Sequence, residues 1–78
     1  MEASRIVIDP AIMLGKPVIK GTRIPVELLL RKLAQHLSPG EILEEYPQLK
    51  REDLQAAVDY AATSLEDERV YPVSLRNT

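Results

Sequence analysis

Three cations in one short block are the residues of this 78-residue chain best suited to chemistry. Lys16, Lys20 and Arg23 lie four and three residues apart in residues 15–26, among two glycines and two prolines. Glycine permits positive φ and proline fixes φ, so the block predicts a shaped backbone that holds the cations in place. Such cations bind anionic groups. In a second interpretation, Thr22 and Arg23 only tie the strands to the first helix through backbone hydrogen bonds.

Catalytic chemistry is not expected from the remaining residues. The single histidine, His36, has no second ligand at metal-binding spacing, and the glutamates near residue 44 are explained by an exposed helix face. The two glycines of the block are six residues apart, which matches neither the phosphate-loop nor the dinucleotide-binding motif. We therefore expect no enzyme, no metal, no cofactor and no small-molecule substrate.

The composition is that of one small globular domain. A chain of this length is marginally stable alone, and without cysteine it has no disulfides, so oligomerisation or a partner is expected to add stability. No apolar run approaches the roughly 18 residues of a membrane span, and the N-terminus has no signal-peptide core. We expect a cytoplasmic protein without a membrane partner.

The net charge of −2 hides an asymmetry between the two parts of the chain. Residues 1–32 contain six basic residues (Lys and Arg) and three acidic residues (Asp and Glu). Residues 33–78 contain four basic residues and nine acidic residues. Any phosphate contact would come mainly from the N-terminal part, and the acidic part suits a basic protein partner. Chance segregation of ordinary surface charge is the alternative.

Short strands and three helices are expected to position the cationic block. Residues 5–8 and 17–20 predict two strands, followed by a first helix that begins near Pro25. Its apolar stripe at helical spacing consists of Val26, Leu29, Leu30, Leu33 and Leu37. Ser38, Pro39 and Glu41 predict a capping box that starts a second helix over 39–46, which Pro47 ends.

A third helix is predicted over residues 51–65. Its apolar stripe consists of Leu54, Ala57, Val58, Ala61 and Leu65. The fold class is therefore mainly α: a short N-terminal β-hairpin followed by a three-helix helix-turn-helix bundle in residues 1–66, with an extended C-terminal tail in residues 67–78.

A tight turn at residues 47–49, with Leu49 packed in the core, joins the second and third helices into a helix-turn-helix. In that motif the third helix would recognise DNA. The candidate DNA contacts are Lys16, Lys20, Arg23, Gln48, Lys50, Arg51 and Gln55. Glu52, Asp53 and Asp59 share the helix and would repel phosphate. A trihelical bundle used only for protein contacts is the alternative.

Several motifs together resemble the domain-of-unknown-function family 433. They are the Asp9-Pro10 turn, the block of residues 15–26, the cap at 38–42, Tyr46-Pro47 and the stretch 54–60. The resemblance implies a homeodomain-like helix-turn-helix after a β-hairpin, often dimeric. Many members are considered Vap-type antitoxins of a PIN-like ribonuclease toxin, and some are expected to repress their own operon. Lys16, Lys20 and Arg23 match the basic positions of the family.

One residue departs from the family pattern. Lys50 stands where a capping Thr or Ser is usual. Because lysine cannot cap, the start of the third helix is expected to be less stable, but Lys50 could contact phosphate.

Our leading hypothesis is a non-enzymatic antitoxin that binds a PIN-like toxin and, secondarily, operator DNA. An inserted cation would displace Mg²⁺ from the acidic site of the toxin. The candidate partner-binding residues are Arg23, Arg69, Tyr71 and Arg76. A homodimer is expected through Ile6, Val7 and Ile8, with pairing of the Ala-rich third helix as the alternative. A stand-alone DNA-binding regulator and a plain dimerisation module are the other hypotheses.

Overall fold

The structure, a computed structural model, describes residues 5–67. An antiparallel hairpin of β1 (Ile6–Ile8) and β2 (Pro17–Ile19) is followed by the helices α1 (Val26–Ala34), α2 (Pro39–Glu45) and α3 (Arg51–Asp67). The predicted order of two strands and three helices is confirmed. Over this part of the chain, every helix is too short or too polar to cross a bilayer. The predicted tail, from residue 68 onward, lies outside the described residues.

One hydrophobic core joins the hairpin to all three helices. Ile19 of β2, Leu29 of α1 and Ile42 of α2 are almost fully buried, and Leu54 of α3 packs with them. Leu49, in the turn between α2 and α3, is buried in the same cluster, as predicted. Two strands this short are unstable in isolation, so the hairpin is held by this packing.

The end of α1 differs from the prediction. The helix stops at Ala34, and His36 adopts a left-handed φ of 71°. The N–H of His36 donates to the carbonyl of Leu33 at 2.9 Å, and that of Leu37 donates to the carbonyl of Lys32 at 3.2 Å. These are the two bonds of a Schellman motif, which ends the helix before Leu37. Leu37 packs on the core from the loop rather than from the predicted helical stripe.

The start of α2 is the predicted capping box. The Ser38 hydroxyl accepts from the N–H of Glu41 at 3.1 Å, and the Glu41 carboxylate accepts from the N–H of Ser38 at 2.8 Å. Two backbone donors at the helix start are thereby satisfied. The helix ends at Glu45, one residue earlier than predicted.

The buried face of α3 is rotated from the predicted one, and the helix runs to Asp67 rather than Leu65. Leu54 and Ala57 are buried as expected, but Ala56 is buried in place of Val58, and Val58 and Leu65 are exposed. The prediction for these two residues is wrong, because the face of α3 that is buried by packing against α1, α2 and β1 carries Ala56 rather than Val58.

Candidate functional site

Residues 20–23, here called the cationic turn, connect β2 to the segment that leads into α1. The N–H of Thr22 donates to the carbonyl of Ile19 at 2.9 Å, and Gly21 has a φ of 81°. A positive φ at the third position of such a turn is the type II signature, which favours glycine. The sequence therefore places Gly21 where the backbone requires it.

The side chain of Thr22 locks the same turn. Its hydroxyl donates to the carbonyl of Ile19 at 2.7 Å and accepts from the N–H of Ile24 at 3.0 Å. The N–H of Ile19 in turn donates to the carbonyl of Ile24 at 3.0 Å, and both isoleucines are buried in the core. The predicted tie between the strands and the first helix is therefore made by Thr22. No hydrogen bond or ion pair is formed by the Arg23 side chain within residues 5–67.

The three cations of the block have different surroundings. Lys20 and Arg23 are both exposed on the cationic turn, and neither forms an ion pair with another described residue. Lys16 lies at the opposite end of β2, where its Nζ is 3.3 Å from a carboxylate oxygen of Glu27. That pair is solvent-exposed and therefore weak. The structure thus brings Lys20 and Arg23 together and separates them from Lys16.

The predicted DNA contacts near α3 are on the surface. Gln48, Lys50 and Arg51 are exposed, but the Gln55 amide donates to the carboxylate of Asp59 at 3.1 Å on the same helix. These contacts stay predictions.

Asp53 caps the backbone N–H of Lys50 at the start of α3, a different donor from those that a Thr or Ser at position 50 would bind. Its carboxylate accepts from the N–H of Lys50 at 2.9 Å and from Nη1 of Arg5 at 2.9 Å. Asp53 is 7% exposed and is the buried charged residue of the described chain. The sequence predicts that Asp53 repels phosphate, but it does not predict these two bonds. An acid three residues after a position without a capping side chain is the signal that would have identified it.

A groove of about 450 Å³ lies where α3 passes the end of α1 and the start of α2. Its lining is formed by Leu33, Pro39, Arg51, Glu52, Leu54, Gln55 and Val58. The outer face of α3 near Arg51 is therefore one wall of a mainly apolar groove, which suits protein contact better than phosphate contact.

The residues predicted to form the dimer interface lie on β1. β1 pairs with β2 along one edge, and Ile8 is 58% exposed, while Ile6 and Val7 are half-buried. Dimer formation through this strand stays a prediction. Arg69, Tyr71 and Arg76 lie outside the described residues.

Within residues 5–67, no three His, Cys, Asp or Glu side chains come together in an arrangement that could hold an ion. His36 is exposed and occupies the left-handed position after α1.

Comparison with known proteins gives three matches. The family model described as "Protein of unknown function (DUF433)" matches residues 6–61. An uncharacterized protein of Archaeoglobus fulgidus is 63% identical over 27 residues, which cover 35% of this chain and 75% of that protein. The crystal structure of a DUF433 member from Anabaena variabilis aligns with a TM-score of 0.75 and 38% identity, covering 81% of this chain and 62% of that one.

Proposed function

Because the chain belongs to the DUF433 family of proteins of unknown function, we propose a function from the geometry of the cationic turn. The protein is a non-enzymatic antitoxin that binds and neutralises a PIN-like ribonuclease toxin. The observation that carries this proposal is Arg23, which is exposed on a hydrogen-bonded turn and has no ion pair within residues 5–67.

Arg23 suits the chemistry of such a target. A PIN-like site holds clustered carboxylates that bind Mg²⁺. The planar guanidinium of arginine binds carboxylates through two parallel hydrogen bonds. It can therefore take the place of the metal ion between those carboxylates. Because the bonds of Thr22 fix the backbone beside Arg23, little backbone freedom is lost on binding, which favours affinity. Lys20 on the same turn adds a second positive charge for attraction to an acidic site.

Inhibition of the ribonuclease tests this role. We expect Arg23→Ala to raise the concentration needed for half-inhibition about 30-fold or more, because it removes one partner from a desolvated charge pair. Arg31→Ala is the matched control, since Arg31 is also an exposed arginine without an ion pair in the described range. It should shift inhibition by less than about threefold. Equal effects of the two variants would contradict the proposed role of Arg23.

Binding of operator DNA is a second candidate function. Lys50 and Arg51 support it, because both are exposed at the start of α3 and have no ion pair with described residues. Glu52 and Asp59 on the same helix weaken it by repelling phosphate.

Salt dependence tests the DNA hypothesis. Binding of the upstream duplex would weaken with salt, and Lys50→Ala and Arg51→Ala would each lower the slope of log K against log salt by about 1. Arg31→Ala again serves as the control. Binding that is insensitive to both variants at α3 would refute DNA recognition by this helix.

A further inference from the structure

Residues 9–16, here called the hairpin tip, connect β1 to β2 through a strained backbone. Three consecutive residues have a positive φ: 51° at Met13, 59° at Leu14 and 84° at Gly15. Glycine adopts such angles readily, but residues with a β-carbon are disfavoured there. Two consecutive strained residues of this kind therefore need a compensating benefit.

The benefit does not come from burial of Leu14 within the described chain. Leu14 is 94% exposed, so its side chain contributes almost nothing to the core. Met13, its neighbour in the sequence, is 37% exposed, and Ile8 at the end of β1 is 58% exposed. Ile8 pairs with Pro17 at the base of the tip, so the three apolar side chains lie at one end of the hairpin. The tip presents an apolar surface with Leu14 at its most exposed point.

Backbone hydrogen bonds hold the strained conformation. The Asp9 carboxylate accepts from the N–H of Ala11 at 2.9 Å, and the carbonyl of Asp9 accepts from the N–H of Ile12 at 2.8 Å. The N–H of Gly15 then donates to the carbonyl of Ile12 at 3.0 Å. Leu14 is therefore held outward on an ordered loop, which lowers the entropic cost of inserting it into a partner.

We propose that Leu14 is an apolar anchor that inserts into a pocket of the PIN-like toxin, at the opposite end of the hairpin from the carboxylates that Arg23 binds. This inference rests on the function proposed above. The tip and the cationic turn lie at opposite ends of β2, which spans three residues and hence about 10 Å. The proposal requires one partner surface that extends along the hairpin and contacts both. Lys20 and Arg23, which form no ion pair within residues 5–67, specify that the part of this surface facing the cationic turn is acidic.

The substitution Leu14→Asn separates partner binding from folding. Asparagine tolerates the left-handed region better than leucine, so the variant should fold with an unchanged or higher melting temperature, by up to about 4 °C. Its affinity for the toxin should fall about 10- to 100-fold, because the buried leucine side chain is lost. Leu14→Met keeps an apolar side chain and should bind within about threefold of the unaltered protein.

Leu65→Asn is the matched control, since it makes the same change at another exposed leucine. We would measure toxin affinity by calorimetry, and the mass of the free protein by light scattering. Equal affinities of the unaltered chain and Leu14→Asn would overturn the anchor, as would equal losses in Leu14→Asn and Leu65→Asn. If Leu14→Asn instead splits a homodimer and leaves toxin affinity intact, the anchor binds a second copy and the assignment is wrong. Failure of the unaltered chain to bind the toxin would refute the proposed function itself.

Discussion

Removal of the Asp53 carboxylate should destabilise the fold by about 2 kcal/mol. The carboxylate is buried and accepts two hydrogen bonds, from the Lys50 N–H and from Arg5, each at 2.9 Å. Loss of the helix cap costs about 1 kcal/mol. Loss of the bond to Arg5, whose side chain is still 32% exposed, costs about 1 kcal/mol more. On the scale of roughly 4–8 °C per kcal/mol for a domain of this size, Asp53→Ala should melt about 8–16 °C lower.

A double-mutant cycle isolates the bond between the two side chains. Arg5 makes further interactions, so Arg5→Ala alone measures more than this bond. Unfolding of Asp53→Ala, Arg5→Ala and the double variant in urea should give a coupling free energy of about 1 kcal/mol. Asp59→Ala is the control, because Asp59 is an exposed acid of the same helix whose side chain, within residues 5–67, bonds only Gln55. A coupling below about 0.3 kcal/mol, or equal losses from Asp53→Ala and Asp59→Ala, would refute the reasoning.

Two further predictions concern backbone conformation, and thermal unfolding measures both. His36→Gly should stabilise the fold by about 1 kcal/mol, because glycine relieves the left-handed angle after α1. Gln35→Gly, at a φ of −86°, should instead destabilise it, and the same sign for both would contradict the explanation. Gly21→Ala should cost about 1–2 kcal/mol because its φ is 81°, although the added carbon meets no described residue other than its chain neighbours within 4 Å. Gly40→Ala, in α2, would place its β-carbon 3.9 Å from the Ser38 hydroxyl, an ordinary contact, and should stabilise by up to about 1 kcal/mol, so that losses at both glycines would count against a backbone origin.

Features set by local sequence were predictable. The capping box of Ser38 and Glu41 depends only on residues three positions apart, so its residue types identify it without knowledge of the fold. Gly21 is similar, because a turn that requires a positive φ favours glycine wherever it occurs. The order of two strands and three helices followed from such local signals together with the spacing of apolar residues.

Features set by tertiary packing were not predictable. An alanine-rich helix has apolar residues on more than one face, and only the packing of α3 against its neighbours decides that Ala56 is buried and Val58 exposed. The end of α1 was missed because His36 occupies a position that glycine usually marks.

The candidate site also contains residues that the sequence identified and residues that it did not. The sequence identified Lys20 and Arg23 on a shaped turn, and it named Thr22 as a residue that could tie the strands to α1. It did not reveal the strained and exposed Leu14, because neither leucine nor methionine signals a left-handed backbone. Nor did it pair Arg5 with Asp53, which lie 48 residues apart in the chain and meet only in the folded protein.

Co-expression of the full chain with a PIN-like protein encoded beside its gene tests the antitoxin proposal most directly. The PIN-like protein alone should arrest growth, and co-expression of this chain should relieve the arrest. The two proteins should also co-purify as a complex of defined mass by size exclusion with light scattering. Persistent growth arrest with separate elution of the two proteins, or the lack of any such neighbouring gene, would contradict the proposal.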